Sequence, residues 1–436
     1  MSALNGKRVT VAGLGRFGGG IAVARWLAGE GAKVLVTDQA PAEKLKESVA
    51  ALADVEIQYR LGEHQEADFT AADLVVASPA IPPANPFLAA ARRAGVPVTT
   101  EIRLFVERCP ATIVGVTGTK GKSTTSALLY RMLSTQFRAH VGGNLGGSLL
   151  PKLGEISSSD LVVLELSSYM LHYLGEVRWR PHVGVVTIIA QDHLDWHGGA
   201  GPYVEAKRNL VRHMRPEDVA VLNQDDAGAM AFATATAAKV VPYGKDAPLP
   251  FRLKLPGAHN QLNAQAAFAA AQQLGVTFEQ AQAAVADFGG LPHRLQLVHE
   301  SRRGVRYYND SIATIPEAAV AALESFPPNT VLQIVGGHDK HLPLKAMANA
   351  LVERAKAALC IGATGKQIAA MIGESTFQGS AVAYDCGDLT AAMKVAKETA
   401  TPGDVVLLST GCASYDQFVN FEERGARFAE LAKEDG

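Results

Sequence analysis

Three times along this chain a short run of β-branched and aliphatic residues passes through glycines into an alanine-rich segment whose apolar positions recur at helical spacing. That succession predicts a strand, a turn and a crossover helix, the opening of a parallel βαβ region. The first region begins at Arg8–Ala12, turns through Gly13 to Gly20 and runs on as a helix through Trp26, with further strands expected at Lys33–Thr37, Leu74–Ala77 and Val96–Thr99. The second begins at Thr112–Val116, with a helix from Lys122 and strands at Leu161–Leu166, Val183–Ile189 and Val219–Leu222. A helix over Asn260–Leu274 closes it, and Gly289-Gly290-Leu291-Pro292 reads as a linker. The third carries strands at Val331–Val335, Ala357–Ile361 and Asp404–Ser409.

Alternation of this kind, without an internal repeat, predicts an α/β protein built from doubly wound sheets. Its 436 residues are too many for one ordinary core, so the expectation is three domains, 1–109, 110–291 and 292–436. The two outer ones are expected to be Rossmann-like, and the central one P-loop ATPase-like with a mainly parallel sheet. Lys plus Arg is 41 against 43 for Asp plus Glu, so no global field exists to grip nucleic acid or an anionic membrane. Cys109, Cys360, Cys386 and Cys412 are too dispersed for a metal knuckle and too few to staple the chain, which suggests a reducing compartment. With no signal-like start and no long uncharged stretch, a cytoplasmic protein, expected to be monomeric, is the reading.

Gly118-Thr119-Lys120-Gly121-Lys122-Ser123 follows an apolar strand and opens a helix. Backbone N–H groups of such a loop converge on phosphate oxygens; Lys122 neutralises terminal phosphates and Ser123 can ligate Mg²⁺. Val116 stands where the first glycine of the eight-residue formula would be. Gly13-Leu14-Gly15-Arg16-Phe17-Gly18 also joins strand to helix, with Asp38 twenty residues beyond. Alone it fits an NAD-dependent oxidoreductase, but the same turn can hold any diphosphate, including that of a nucleotide-linked sugar.

Other candidates cluster at expected strand ends. Glu165 is placed for Mg²⁺, and His193, in Gln191-Asp192-His193-Leu194-Asp195-Trp196-His197, for a metal or its water. Asn260 and Asn263, one helical turn apart, share a face that can reach a base or ribose. Arg294, at the linker, is placed to join phosphates when domains close, and Asp310 and Lys340 follow strands of the third region.

Together these residues resemble the Mur ligase family of peptidoglycan synthesis. The likeness rests on Gly118–Thr125, Gly142–Asn144, Glu165–Leu171, Asp192–Asp195, Ala206-Lys207, His259–Asn263, Leu291–Arg294, Asn309–Ser311 and Cys412–Gly425, in the family's order over nearly the whole chain. It implies ATP-dependent amide-bond formation through an acyl phosphate, with UDP-N-acetylmuramoyl-L-alanine and glutamate as substrates. Gly118, Thr119, Lys120, Gly121, Lys122, Ser123, Thr124, Asn260, Arg294 and Asp310 would then serve ATP. Ser123, Glu165, His193 and a carbamylated Lys207 would serve two Mg²⁺ ions, and Lys122, Glu165, His193 and Lys207 the catalysis. The N-terminal domain would seat the UDP, with Gly13, Leu14, Gly15, Arg16, Thr37, Asp38 and Asn144 on the UDP-substrate, while Thr314, Lys340, Ser414 and Phe421 surround the glutamate. The chain departs from the family where Ile312 replaces the usual lysine and Ser409-Thr410-Gly411 replaces a proline-containing turn. D-glutamate is the expected nucleophile, with L-glutamate as the alternative.

Overall fold

The computed structural model describes every residue except 1–2, 16–17, 193, 247–249, 376–380 and 436. The chain divides into two compact units, one of residues 1–250 and 262–284, the other of 251–261 and 285–436.

The first unit holds two sheets. Strands β1 (Arg8–Ala12), β2 (Lys33–Asp38), β3 (Gln58–Leu61), β4 (Leu74–Ala77) and β5 (Val98–Thr100) form a parallel sheet in the order β3-β2-β1-β4-β5. The order reverses on either side of β1, so the crevice at its carboxyl end is a topological switch point where open α/β sheets bind ligands. Strands β6 (Thr112–Thr117), β7 (Ala139–Gly143), β8 (Leu161–Glu165), β9 (Val183–Val186), β10 (Val219–Asn223) and β11 (Lys239–Tyr243) form the second, in the order β11-β10-β9-β6-β8-β7, also parallel throughout. Here β6 lies between β8 and β9, and every residue of β8 and β9 is buried, as expected of strands covered on both faces.

The second unit carries β12 (Gln296–Glu300), β13 (Arg306–Asn309), β14 (Val331–Val335), β15 (Ala357–Ile361), β16 (Val382–Gly387) and β17 (Val405–Leu408), in the order β12-β13-β17-β14-β15-β16. This sheet is mixed: β12 pairs antiparallel with β13, and the other neighbours are parallel. Two apolar clusters, one containing Met347 and Leu351 and the other Met393 and Phe428, pack on its two faces.

Several expected boundaries shift. The strand expected from Val96 starts at Val98, because Pro97 has no N–H to give a sheet ladder. The strand expected to reach Ile189 ends at Val186, where Thr187 turns its hydroxyl onto the carbonyls of Thr117 and Lys120. The helix expected over Asn260–Leu274 spans Ala258–Gln273 and crosses the division between the units at Gln261 and Leu262 instead of simply closing the middle region.

Candidate functional site

β6 delivers the chain into the Gly118–Ser123 loop, which the first unit builds almost without tolerance. Gly118 has φ 150° and Gly121 φ 86°, both in the range that excludes most side chains. A Cβ on Gly118 would overlap the Thr187 hydroxyl, and one on Gly121 would come within 2.5 Å of Asn263 Oδ1. Thr187 Oγ1 donates to the Lys120 carbonyl at 2.6 Å, and the Thr119 N–H to the Ile188 carbonyl at 2.5 Å. The helix Lys122–Leu133 follows directly, with Gly121 as its left-handed N-cap. Its first N–H groups, at Lys122, Ser123 and Thr124, therefore open at the loop, where an anion is favoured. Lys122 curls back so that Nζ donates to the carbonyls of Gly118 at 2.9 Å and Thr119 at 3.0 Å.

A second ammonium meets the same carbonyl. Lys207, on the helix Ala200–Arg212, is 1% exposed, and its Nζ donates to Gly118 O at 2.7 Å. Burial, then repulsion by Lys122, pushes this ammonium down to about 7, against the opposing pull of Asp192 and Glu165. Tyr203, one helical turn earlier, lies under it with its ring centroid 4.9 Å from Nζ. The Tyr203 hydroxyl is 2.9 Å from Thr119 Oγ1, and burial pushes that phenol up to about 12. Sequence reasoning missed Tyr203; its position four residues before Lys207 was the available signal.

Glu165 closes β8, one strand away from the loop, with no solvent exposure. Its Oε1 accepts from Asn144 Nδ2 at 2.9 Å, while the Asn144 N–H donates to the Glu165 backbone carbonyl, also at 2.9 Å. Its Oε2 is buried without a hydrogen-bond partner. A buried orphan carboxylate oxygen is costly unless something binds it, and a divalent cation is a fitting occupant. Among the described residues no set of three or more His, Cys, Asp or Glu forms a ready-made metal site, and His193 lies outside them. Of the two described metal candidates, Glu165 offers this oxygen and Ser123 stands in the first turn of the helix that leaves the loop.

At the first sheet, Gly13 and Gly15 adopt φ 88° and 62° after β1. The N–H groups of Leu14 and Gly15 donate to Asp38 Oδ2 at 2.8 and 3.1 Å, and Asp38 Oδ1 accepts from the Ala40 N–H at 2.8 Å. Asp38 thus fixes the shape of the loop through its own carboxylate. Thr37 is fully buried, its hydroxyl 2.8 Å from His64 Nδ1. Arg16 lies outside the described residues.

The second unit holds the remaining candidates. Asp310, after β13, is 5% exposed; its Oδ1 accepts from the Leu295 N–H at 3.0 Å and its Oδ2 from Ser409 Oγ at 2.7 Å. Burial raises this carboxyl to about 6, opposed by those two donors and by Arg294. Asn260 is buried, with Nδ2 donating to the Pro256 carbonyl at 2.7 Å. Asn263 belongs to the first unit, and its Oδ1 accepts from Thr125 Oγ1 at 3.4 Å, so it braces the phosphate loop.

Ser414 is 2% exposed, Thr314 and Phe421 are half-buried, and Lys340 is exposed. The Phe421 ring stands edge-on to His293 with centroids 6.1 Å apart. Arg424, 1% exposed, joins two of these segments: Nε and Nη2 donate to the Ser311 hydroxyl and carbonyl at 2.9 and 2.8 Å, and Nη1 to the Cys412 carbonyl at 3.1 Å. It was not among the residues singled out from the sequence, although it sits inside the Cys412–Gly425 string.

Comparison with known proteins agrees with this arrangement. The chain matches the MurD-like N-terminal domain of Mur ligases over residues 7–100, the Mur ligase middle domain over 116–249 and the glutamate ligase domain over 293–412. A UDP-N-acetylmuramoylalanine–D-glutamate ligase of Roseiflexus sp. (strain RS-1) is 41% identical over 463 residues, covering 99% of each chain. The enzyme of that name from Anaeromyxobacter dehalogenans (strain 2CP-C) is 41% identical over 468 residues, covering 99% of this chain and 98% of its own. Among solved structures, the UDP-N-acetylmuramate-alanine ligase MurC of Thermotoga maritima aligns with TM-score 0.62 at 20% identity, over 99% of this chain and 100% of its own. A MurF of Acinetobacter baumannii aligns with TM-score 0.59 at 18% identity, over 92% of this chain and 91% of its own. At those identities the two structures speak for the fold alone, whereas the full-length relatives and the three matched domains speak for descent: the chain belongs to the Mur ligase family.

Proposed function

We propose that this protein is an ATP-dependent ligase that joins D-glutamate to UDP-N-acetylmuramoyl-L-alanine, releasing ADP and phosphate. The observation that carries the reading is the phosphate loop, where the Lys122 ammonium lies against the Gly118 and Thr119 carbonyls at the start of a helix and the neighbouring strand ends in the orphan oxygen of Glu165. Such a site suits phosphoryl transfer to a carboxylate, because two anions must approach and positive charge offsets their repulsion. The relatives named as D-glutamate-adding enzymes support the choice of nucleophile.

Within this reading the loop N–H groups and Lys122 hold the ATP phosphates, and Asn260, Arg294 and Asp310 serve the nucleotide. Ser123 and Glu165 hold Mg²⁺, which when bound supplies charge that stabilises the transferring phosphoryl group. The carboxylate of the UDP-linked substrate takes the phosphoryl group and becomes an acyl phosphate; the glutamate amine then displaces phosphate from the acyl carbon. Thr314, Lys340, Ser414 and Phe421 orient that glutamate, and Gly13 to Gly15, Thr37, Asp38 and Asn144 seat the UDP-substrate. We also infer that Lys207 is carbamylated. Its buried amine attacks dissolved CO₂, an N–C bond forms and one proton leaves; the resulting carbamate would supply an anionic oxygen, and His193 a neutral nitrogen, to hold a second Mg²⁺.

The deciding assay measures ADP release with UDP-N-acetylmuramoyl-L-alanine, ATP and Mg²⁺, adding D- or L-glutamate in turn, and determines the chirality of the product. ADP release dependent on both acids, with D-glutamate incorporated, is expected. Release indifferent to either acid would overturn the ligase reading, and incorporation of L-glutamate alone would overturn the choice of nucleophile.

A further inference from the structure

The two glycine-rich loops belong to different sheets of the first unit, yet a continuous run of side chains links them. At one end stands Gly13. A Cβ there would lie 2.9 Å from Ser78 Cβ and 3.6 Å from Ile81 Cδ1, so the segment that follows β4 packs directly against the glycine. That segment is stitched to itself and to β1: the Ser78 N–H donates to the Ala12 carbonyl at 2.8 Å, and the Ile81 N–H to the Ser78 carbonyl at 3.0 Å. Two donors from outside the first sheet then seize it. Trp196 Nε1 donates to the Ala80 carbonyl at 3.0 Å, and the Tyr173 hydroxyl donates to the Ile81 carbonyl at 2.8 Å.

From Trp196 the run continues to the phosphate loop. The Trp196 ring lies 4.5 Å from that of His197, with Tyr169 at 4.7 Å and His172 at 5.5 Å around it. The His197 ring lies 5.4 Å from Tyr203, and its Nε2 is 2.9 Å from Ser168 Oγ, which fixes the imidazole. The Tyr203 hydroxyl reaches Thr119 Oγ1 at 2.9 Å. Edge-on and tilted aromatic contacts of this kind hold rings in defined orientations, and Tyr173, with no solvent exposure, has little freedom of its own.

We infer that Trp196 and Tyr173 are positioning residues: by holding the carbonyls of Ala80 and Ile81 they set the place of the Gly13–Gly15 loop relative to the Gly118–Ser123 loop. The inference rests on the ligase reading above, in which the first loop seats the UDP end of a substrate whose other end must arrive at the phosphate loop. A substrate spanning both loops binds well only when their separation matches its length, so a slack connection weakens its binding while leaving ATP binding alone.

Two substitutions each remove one donor and keep a ring: Trp196→Phe and Tyr173→Phe. Steady-state kinetics with UDP-N-acetylmuramoyl-L-alanine, ATP and D-glutamate varied in turn is the test. Each substitution is expected to raise the KM for the UDP-substrate about threefold to tenfold, the factor that one hydrogen bond is worth. The KM for ATP and kcat are expected to stay within about twofold, because neither donor touches the phosphate loop. An unchanged KM for the UDP-substrate in both variants would overturn the inference. So would a parallel decline of kcat and all three specificity constants with a lowered Tm, the pattern of general loosening. A wild-type chain inert towards UDP-N-acetylmuramoyl-L-alanine would overturn the ligase reading itself, and the positioning role with it.

Discussion

Replacing Asp310 by asparagine removes an ionisable group from a place where ionisation is costly. The carboxyl is 5% exposed, and burial pushes it up to about 6, whereas an aspartate in the unfolded chain titrates near 3.8. Because the folded value is the higher one, the folded state keeps its proton between pH 3.8 and 6 after the unfolded state has released it. Stability therefore falls as pH rises through that window and is level above it. These two values make the loss about 2 kcal/mol between pH 4.5 and pH 8, out of about 3 kcal/mol in all. The amide of Asp310→Asn does not titrate. Its oxygen can still accept from the Leu295 N–H, and any misfit with the Ser409 hydroxyl adds a penalty of about 1 to 3 kcal/mol that does not vary with pH. The stability difference between variant and wild type should thus move by about 2 kcal/mol in the variant's favour from pH 4.5 to pH 8. All three tryptophans, Trp26, Trp179 and Trp196, lie in the first unit, so their fluorescence follows the wrong part of the chain. Amide hydrogen exchange of Val405–Leu408, corrected for intrinsic rates, reads the right part. A difference that stays constant across that range would refute the argument that Asp310 is ionised at a cost.

Three further outcomes follow from the site. Lys122→Ala should lower kcat about 10²- to 10³-fold by removing positive charge from the phosphate loop; ADP release at saturating substrates checks it, and a wild-type rate would refute the loop's role. Lys207→Ala should be inactive and recover part of its turnover on addition of acetate or formate, because a small carboxylate can replace the carbamate; activity equal to wild type without additive would refute carbamylation. Arg424→Met should destabilise the second unit by about 3 kcal/mol or more, since it leaves the Ser311 and Cys412 carbonyls buried without their charged donor, while Arg424→Lys should fall between; urea unfolding followed by circular dichroism measures both.

What could be read from the sequence and what could not divide along a physical line. Strands covered on both faces are short apolar runs, and β8, β9, β14, β15 and β17 were all legible from composition, β14 and β15 to the residue and the others with errors of one to three residues at an end. The edge strands β3, Gln58-Tyr59-Arg60-Leu61, and β16, Val382-Ala383-Tyr384-Asp385-Cys386-Gly387, carry polar residues and escaped notice, because a strand paired on one side need not be apolar. The same division holds at the site. Gly118, Gly121 and Lys122 announce themselves, since a glycine-rich turn between an apolar strand and a helix has few other uses. Asp38 and Asn263 carry a second job that one dimension does not show. Each is polar and sits where a ligand-binding residue belongs, yet Asp38 spends its carboxylate on the N–H groups of Leu14 and Gly15, and Asn263 presses on Gly121. A loop that must hold a phosphate needs a rigid backing as much as it needs donors, and residues that supply the backing look, in one dimension, the same as residues that touch the ligand. Arg424 is the extreme case: an arginine in an otherwise charged stretch, Glu422-Glu423-Arg424, reads as solvated surface until Ser311, more than a hundred positions earlier, is brought against it.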